Sequence, residues 1–229
     1  MLFTNLLRDF AGLFYPRVCA ACADTLMRNE HLFCTTCRYE LPRTNFHNDA
    51  ENDVAKTFWG RLPIVNASAH FYFHKGGRVQ ELLHKLKYKG QQEIGIELGR
   101  MIGRDLVSSQ FNEIDIVVPV PLHKKKLRKR GYNQSECIAR GISETLGKPL
   151  DNKTLCRVIA NPTQTRKHRY ERWANVDGIF ALSNPQNIVN KHVLLVDDVL
   201  TTGATLEACA SALFQAENVK VSIIAAARA

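Results

Sequence analysis

Across 229 residues, hydrophobic types make up 45% and charged types 23%, which is enough apolar material for a folded core and excludes a chain that stays disordered. The formal net charge of +9 favours polyanionic partners such as nucleic acid, phosphorylated metabolites or an acidic membrane surface, without choosing among them. No apolar run approaches the roughly 20 residues of a membrane-spanning helix, so no integral membrane segment is expected.

Leu2, Phe3, Leu6, Leu7, Phe10, Leu13 and Phe14 recur at helical spacing and predict an amphipathic helix ending before Pro16. Arg8 and Asp9 interrupt it and no basic region precedes it, so it does not read as a signal peptide. Its apolar face would pack on the protein body, or dock on a membrane or partner.

Two C-x-x-C turns follow, "CAAC" (Cys19, Cys22) and "CTTC" (Cys34, Cys37). Two such turns supply four thiolates in tetrahedral array, the donor set of a closed structural zinc site. Disulfides or a redox-active pair are the alternatives. Cys137, Cys156 and Cys209 are scattered and read as small buried apolar residues. A module this short buries little core of its own, so chelation is expected to unfold residues 1–45 and leave the rest folded.

Residues 46–63 are polar and irregular and read as a linker. Residues 64–229 then alternate strands with helices. Ile64 to Phe73 alternates apolar residues and reads as a strand. "GGRVQELLHKLKYKG" and "QQEIGIELGRMIGRDLVSS" read as helices, and Ile114 to Pro121 as a buried strand. "SECIARGISETLG" is helical, with Ser135 a candidate cap. "HVLLVDD", "ATLEACASALFQAE" and "VKVSIIAAA" give strand, helix, strand. This pattern predicts an α/β fold: a mostly parallel sheet flanked by helices, with a small N-terminal zinc-binding module.

Ligands of such sheets bind at the carboxyl ends of strands. "VLLVDDVLTTGAT" places Asp197 and Asp198 at such an end. The turn Leu200 to Thr205 leads into a helix, whose N-terminus and backbone N–H groups suit a phosphate. Thr201, Thr202 and Thr205 add hydroxyls, and Gly203 admits close backbone approach. The aspartates suit the hydroxyls of an attached sugar, or a magnesium ion bridging to it. Together they ask for a ribose 5-phosphate.

That string resembles the phosphoribosyl-pyrophosphate (PRPP) motif of type I phosphoribosyltransferases. The resemblance implies that Asp197 and Asp198 hold ribose and are the catalytic candidates. It implies that Leu200, Thr201, Thr202, Gly203, Ala204 and Thr205 hold phosphate, with magnesium accompanying PRPP. "PVPLHKKKLRKRGYNQ", "TQTRKHRYERWANVDGIF" and "VDDVLTTGAT" behind a double C-x-x-C, with "LKYKG", further resemble the ComF family, zinc-finger proteins of natural transformation. This implies a cytoplasmic protein, placed at the inner membrane face only through a partner such as a DNA-uptake or recombination protein.

Lys87, Tyr88, Lys124, Lys125, Lys126, Arg128, Arg130, Gly131, Tyr132, Gln164 and Arg172 are candidates for pyrophosphate or DNA contact. Cations interleaved with aromatics suit single-stranded DNA by base stacking and phosphate neutralisation. A loop that closes over a diphosphate is the competing reading. Three functions therefore stand open: a competence-associated protein that binds PRPP and single-stranded DNA, an active phosphoribosyltransferase acting on an unidentified nucleobase or nucleotide acceptor, or a structural adaptor whose zinc module and N-terminal helix dock on the uptake or recombination machinery. No nucleophile constellation presents itself.

Overall fold

The computed structural model describes residues 16–158 and 179–229. The predicted N-terminal amphipathic helix, Gln164 and Arg172 lie outside the described residues. Within them, in chain order, stand α1 (Thr35–Glu40), α2 (Asp53–Phe58), β1 (Ala67–Tyr72), α3 (Arg78–Tyr88) and α4 (Gln92–Leu106). Then come β2 (Ile116–Pro119), α5 (Lys124–Arg130), α6 (Gln134–Leu146), β3 (Leu155–Arg157), β4 (Phe180–Leu182), β5 (His192–Leu200), α7 (Ala204–Leu213) and β6 (Lys220–Arg228).

Four strands form a wholly parallel sheet in the order β1-β6-β5-β2. Its centre, β5, pairs with β2 through Leu195–Val118 and with β6 through Leu195–Ile223. Successive β5 side chains point to opposite faces. Val193 and Leu195 enter one apolar layer with Val54 and Phe58 of α2 and Leu206, Cys209 and Leu213 of α7. Leu194 and Val196 enter the other with α3, α4 and α6. Burial on both faces is why the strand reads as an unbroken apolar run.

Several expectations change. Residues 46–63 are not a free linker. Asn52 caps α2 by accepting from the Val54 and Ala55 N–H groups, and Val54 and Phe58 are fully buried beneath the sheet. β3 and β4 form a separate antiparallel pair that the sequence reading did not contain. The cationic run 124–130, read as loop, is a helix capped by His123 at one end and left-handed Gly131 at the other. Ser135 is not the α6 cap; Asn133 is, its side chain accepting from the Ser135 N–H.

The cysteine module is not separate either. Phe33, Cys37 and Leu41 share one apolar cluster with Leu82, Leu83 and Leu86 of α3. Lys85 Nζ donates to the Ala20 carbonyl at 2.7 Å, and Arg38 pairs with Glu97 of α4 at 3.0 Å. Among the described residues no helix is long and apolar enough to cross a membrane.

Candidate functional site

Strands β1, β6 and β5 end in register at Tyr72, Arg228 and Leu200, while β2 stops opposite Val196, so Asp197 and Asp198 follow the last β2 pair; β5 runs farther than its sequence suggests. It continues through Leu200, which is buried and pairs with Arg228, so Leu200 can offer a ligand only its backbone. The turn begins at Thr201. Thr201, Thr202, Ala204 and Thr205 are all exposed, while Gly203 is buried at φ +80° as the N-cap of α7. A Cβ on Gly203 would stand 3.2 Å from Thr57 Cγ2 and 3.3 Å from the Phe58 ring. Left-handed backbone and close packing both select glycine. The result is an open turn with hydroxyls and a helix N-terminus facing solvent, which suits an anion.

Asp197 and Asp198 are half-buried at the strand tip. Asp197 Oδ1 accepts from Ser135 Oγ at 2.9 Å and from the Asp198 N–H at 2.8 Å. Burial, then the adjacent Asp198 carboxylate, push the Asp197 carboxyl up to about 7. Asp198 Oδ2 pairs with Lys87 Nζ at 2.9 Å. The tip thus carries one carboxyl held near neutrality and one carboxylate matched to a cation.

Lys87 joins this tip to a cleft of about 300 Å³ lined by Lys87, Tyr88, Gly90, Lys126, Lys129, Arg130 and Tyr132. The Arg130 guanidinium lies 5.3 Å from the centroid of the exposed Tyr88 ring. The Tyr132 hydroxyl donates to the Leu86 carbonyl, fixing the end of α3 against the start of α6.

The structure therefore brings Lys87, Tyr88, Lys126, Arg130 and Tyr132 together. Lys124, Lys125 and Arg128 are exposed on α5 but do not line the cleft, and Gly131 serves as its C-cap. The helical period explains the split: positions 126, 129 and 130 share one face. Lys129 was missed because the run was read as a loop. Ser135 was missed because it was read as a cap, although it directly follows the "YNQ" already singled out.

At the N-terminus the ligand atoms of Cys19, Cys22, Cys34 and Cys37 lie within 4.8 Å of one another. Cys22 and Cys34 sulfurs are 3.7 Å apart, too far for a disulfide and close to the ~3.8 Å edge of a tetrahedron with 2.3 Å zinc–sulfur bonds. The Cys34 N–H donates to Cys19 Sγ and the Cys37 N–H to Cys34 Sγ, both at 3.3 Å. Burial raises the Cys19 thiol, but backbone N–H groups outweigh it and bring the thiol down to about 7. The set could hold a metal such as zinc.

A parallel sheet with paired aspartates and an open, hydroxyl-bearing turn at the end of one strand is the arrangement of a phosphoribosyltransferase-type domain. The phosphoribosyl transferase domain family matches residues 107–228, and the chain belongs to it and, within it, to the ComF family. DNA utilization protein YhgH of Salmonella typhimurium is 32% identical over 138 residues, covering 58% of this chain and 60% of that protein. Competence protein ComFC of Bacillus subtilis is 27% identical over 204 residues, covering 87% of this chain and 78% of that protein. Among solved structures, adenine phosphoribosyltransferase from Saccharomyces cerevisiae aligns over 61% of this chain and 69% of its own, at 13% identity and a TM-score of 0.39.

Proposed function

We propose that this protein binds PRPP at the β5 tip and single-stranded DNA along the adjoining basic cleft, as a competence-associated, DNA-handling protein. The observation that carries the reading is the continuity of the two sites through Lys87, which touches Asp198 and lines the cleft. Asp197 and Asp198 would hold the ribose hydroxyls, and the turn from Thr201 to Thr205 would hold the 5-phosphate. Lys87, Lys126, Lys129 and Arg130 would face the pyrophosphate or a strand backbone. The exposed Tyr88 ring offers a base a stacking surface. Relatives named for DNA utilization and for competence support this role, in uptake and natural transformation.

Magnesium bound with PRPP would neutralise its diphosphate beside the carboxylates. Zinc on Cys19, Cys22, Cys34 and Cys37 would be structural, since all four positions are protein sulfurs. The protein would work in the cytoplasm, reaching the inner membrane face through a DNA-uptake or recombination partner.

The alternative is phosphoribosyl transfer, in which an acceptor attacks ribose C1 and pyrophosphate leaves. The Asp197 carboxyl at about 7 favours it, because such a group can take up a proton near neutral pH. Pyrophosphate release that depends on an added acceptor identifies this case.

The test is a calorimetric titration of magnesium–PRPP into the full chain and into an Asp197→Asn, Asp198→Asn double variant. PRPP should bind the wild type and bind the variant at least tenfold more weakly, a loss of about 1.4 kcal/mol. Free pyrophosphate, which lacks the ribose, should bind the variant no more weakly than the wild type. Equal PRPP affinity in the two proteins overturns the reading. Neutralising Lys126, Lys129 and Arg130 should flatten the salt dependence of oligonucleotide binding, and an unchanged slope overturns the DNA contact.

A further inference from the structure

A second group of potential ligands lies away from both sites. The backbone of residues 43–44 runs beside β1, with the Thr44 N–H donating to the His70 carbonyl at 3.0 Å. This pairing carries the following turn over the strand and stacks the His47 ring on His70, centroids 6.2 Å apart and planes 28° from parallel. Asp105, near the C-terminal end of α4, reaches in from the third side. One ligand atom from each of His47, His70 and Asp105 falls within 4.8 Å of the others.

Both imidazoles are buried, His47 at 7% exposure and His70 at 2%. Among the described residues, His47 Nδ1 and His70 Nε2 have no hydrogen-bond partner. Orphaned buried nitrogens are rare because their lost hydration is not replaced. Two of them on rings that each bring a ligand atom within 4.8 Å of one carboxylate point to a missing shared partner. His70 Nε2 and Asp105 Oδ2 are 3.4 Å apart, the ~3.4 Å edge of a tetrahedron with bonds of 2.0–2.1 Å. Arg43 donates to the same Asp105 Oδ2, which leaves that oxygen one further lone pair for an ion. Such outer hydrogen bonds commonly hold a ligating carboxylate in place.

We infer that His47, His70 and Asp105 form a second metal site, taking a divalent transition ion of the zinc or cobalt type, which ties the His47 segment to β1 and α4. The donor set selects the ion class. Two imidazoles and one carboxylate suit zinc, cobalt or nickel, whereas magnesium and calcium require mostly oxygen. The Arg43 charge further disfavours an ion held mainly by charge.

The test reconstitutes metal-stripped full chain with cobalt(II) and follows its absorption. Cobalt on the four cysteines gives thiolate charge-transfer bands. Cobalt on the histidines and aspartate adds ligand-field bands without them. The wild type should take two equivalents, and His47→Gln and His70→Gln should each take one. Retained thiolate bands would show that these variants keep the cysteine module folded. A wild type that saturates at one equivalent overturns the inference, as do variants that still take two. Zinc X-ray absorption on the wild type needs no variant: two zincs per chain with a mixed sulfur and nitrogen/oxygen shell is expected. One zinc with a sulfur-only shell overturns the inference independently.

Discussion

Asp197 shows how one carboxyl can be held ready by its surroundings. Burial and the Asp198 carboxylate raise its pKa from 3.8 to about 7, while Ser135, the Asp198 N–H and Lys87 oppose that rise only in part. Between those two values the folded state binds more protons at this position than the unfolded chain. The contribution of Asp197 to stability is therefore fully present below pH 3.8, declines as pH rises toward 7, and is flat beyond. Asn at this position keeps an oxygen for the Ser135 hydroxyl and the Asp198 N–H but has no proton to lose. Urea unfolding of wild type and Asp197→Asn at a series of pH values should show the variant gaining on the wild type from about pH 4 to 7. Taking the difference cancels the buried histidines, whose pKa values are lowered and whose stability contributions slope the opposite way. A difference that does not change with pH would mean that Asp197 titrates normally.

The elements differ in how plainly they were written in the sequence. Strand β1 was legible from its alternation, strands β2, β5 and β6 as unbroken apolar runs, and helices α3, α4, α6 and α7 because each is long enough to show its period. α2 was not: its apolar residues, Val54, Ala55 and Phe58, fall within six positions of a polar stretch. α5 has no buried residue, so no apolar stripe marks it as a helix. β3 and β4 are three residues each, below any useful window. The strand-tip site was legible as a string, yet Ser135 and Lys129 reach it only through helices whose placement the string does not contain. One close contact was also hidden. A Cβ on Gly99 of α4 would stand 2.1 Å from the Ile138 carbonyl oxygen of α6, and one on Gly141 would stand 2.0 Å from the Ile96 oxygen. The two backbones touch. In an isolated helix, Gly→Ala stabilises by about 1 kcal/mol. Here Gly99→Ala should destabilise by about 3 kcal/mol, because backbone and not a flexible side chain must move. Chemical denaturation decides the sign, and a gain in stability would mean the helices are less tightly joined.

At the scale of the molecule, the cysteine module and the β5 tip are two ends of one packed unit. The module contributes Phe33 and Leu41 to the same apolar cluster as Leu82, Leu83 and Leu86 of α3. α3 also carries Lys87, whose amine meets Asp198 at the strand tip. A metal on the four cysteines would supply much of the folding energy of so short a module, so without it the module's apolar residues are expected to lose their order. Its loss would strip one side of α3 of cover and break the Lys85–Ala20 and Arg78–Glu40 contacts. Chelation should therefore reach beyond residues 1–45. In hydrogen exchange, amides of α3 from Leu82 to Leu86 should lose protection together with those around Cys34 and Cys37, while the β5 and β6 core stays protected. PRPP affinity should fall in the same chelated protein, because Lys87 is no longer held at the site. The sequence alone suggested the opposite, a module that melts and leaves the rest untouched. Unchanged α3 protection and PRPP affinity after complete metal removal would restore that simpler picture, whereas their joint loss would mean that the metal positions a ligand-binding lysine through the helix it supports.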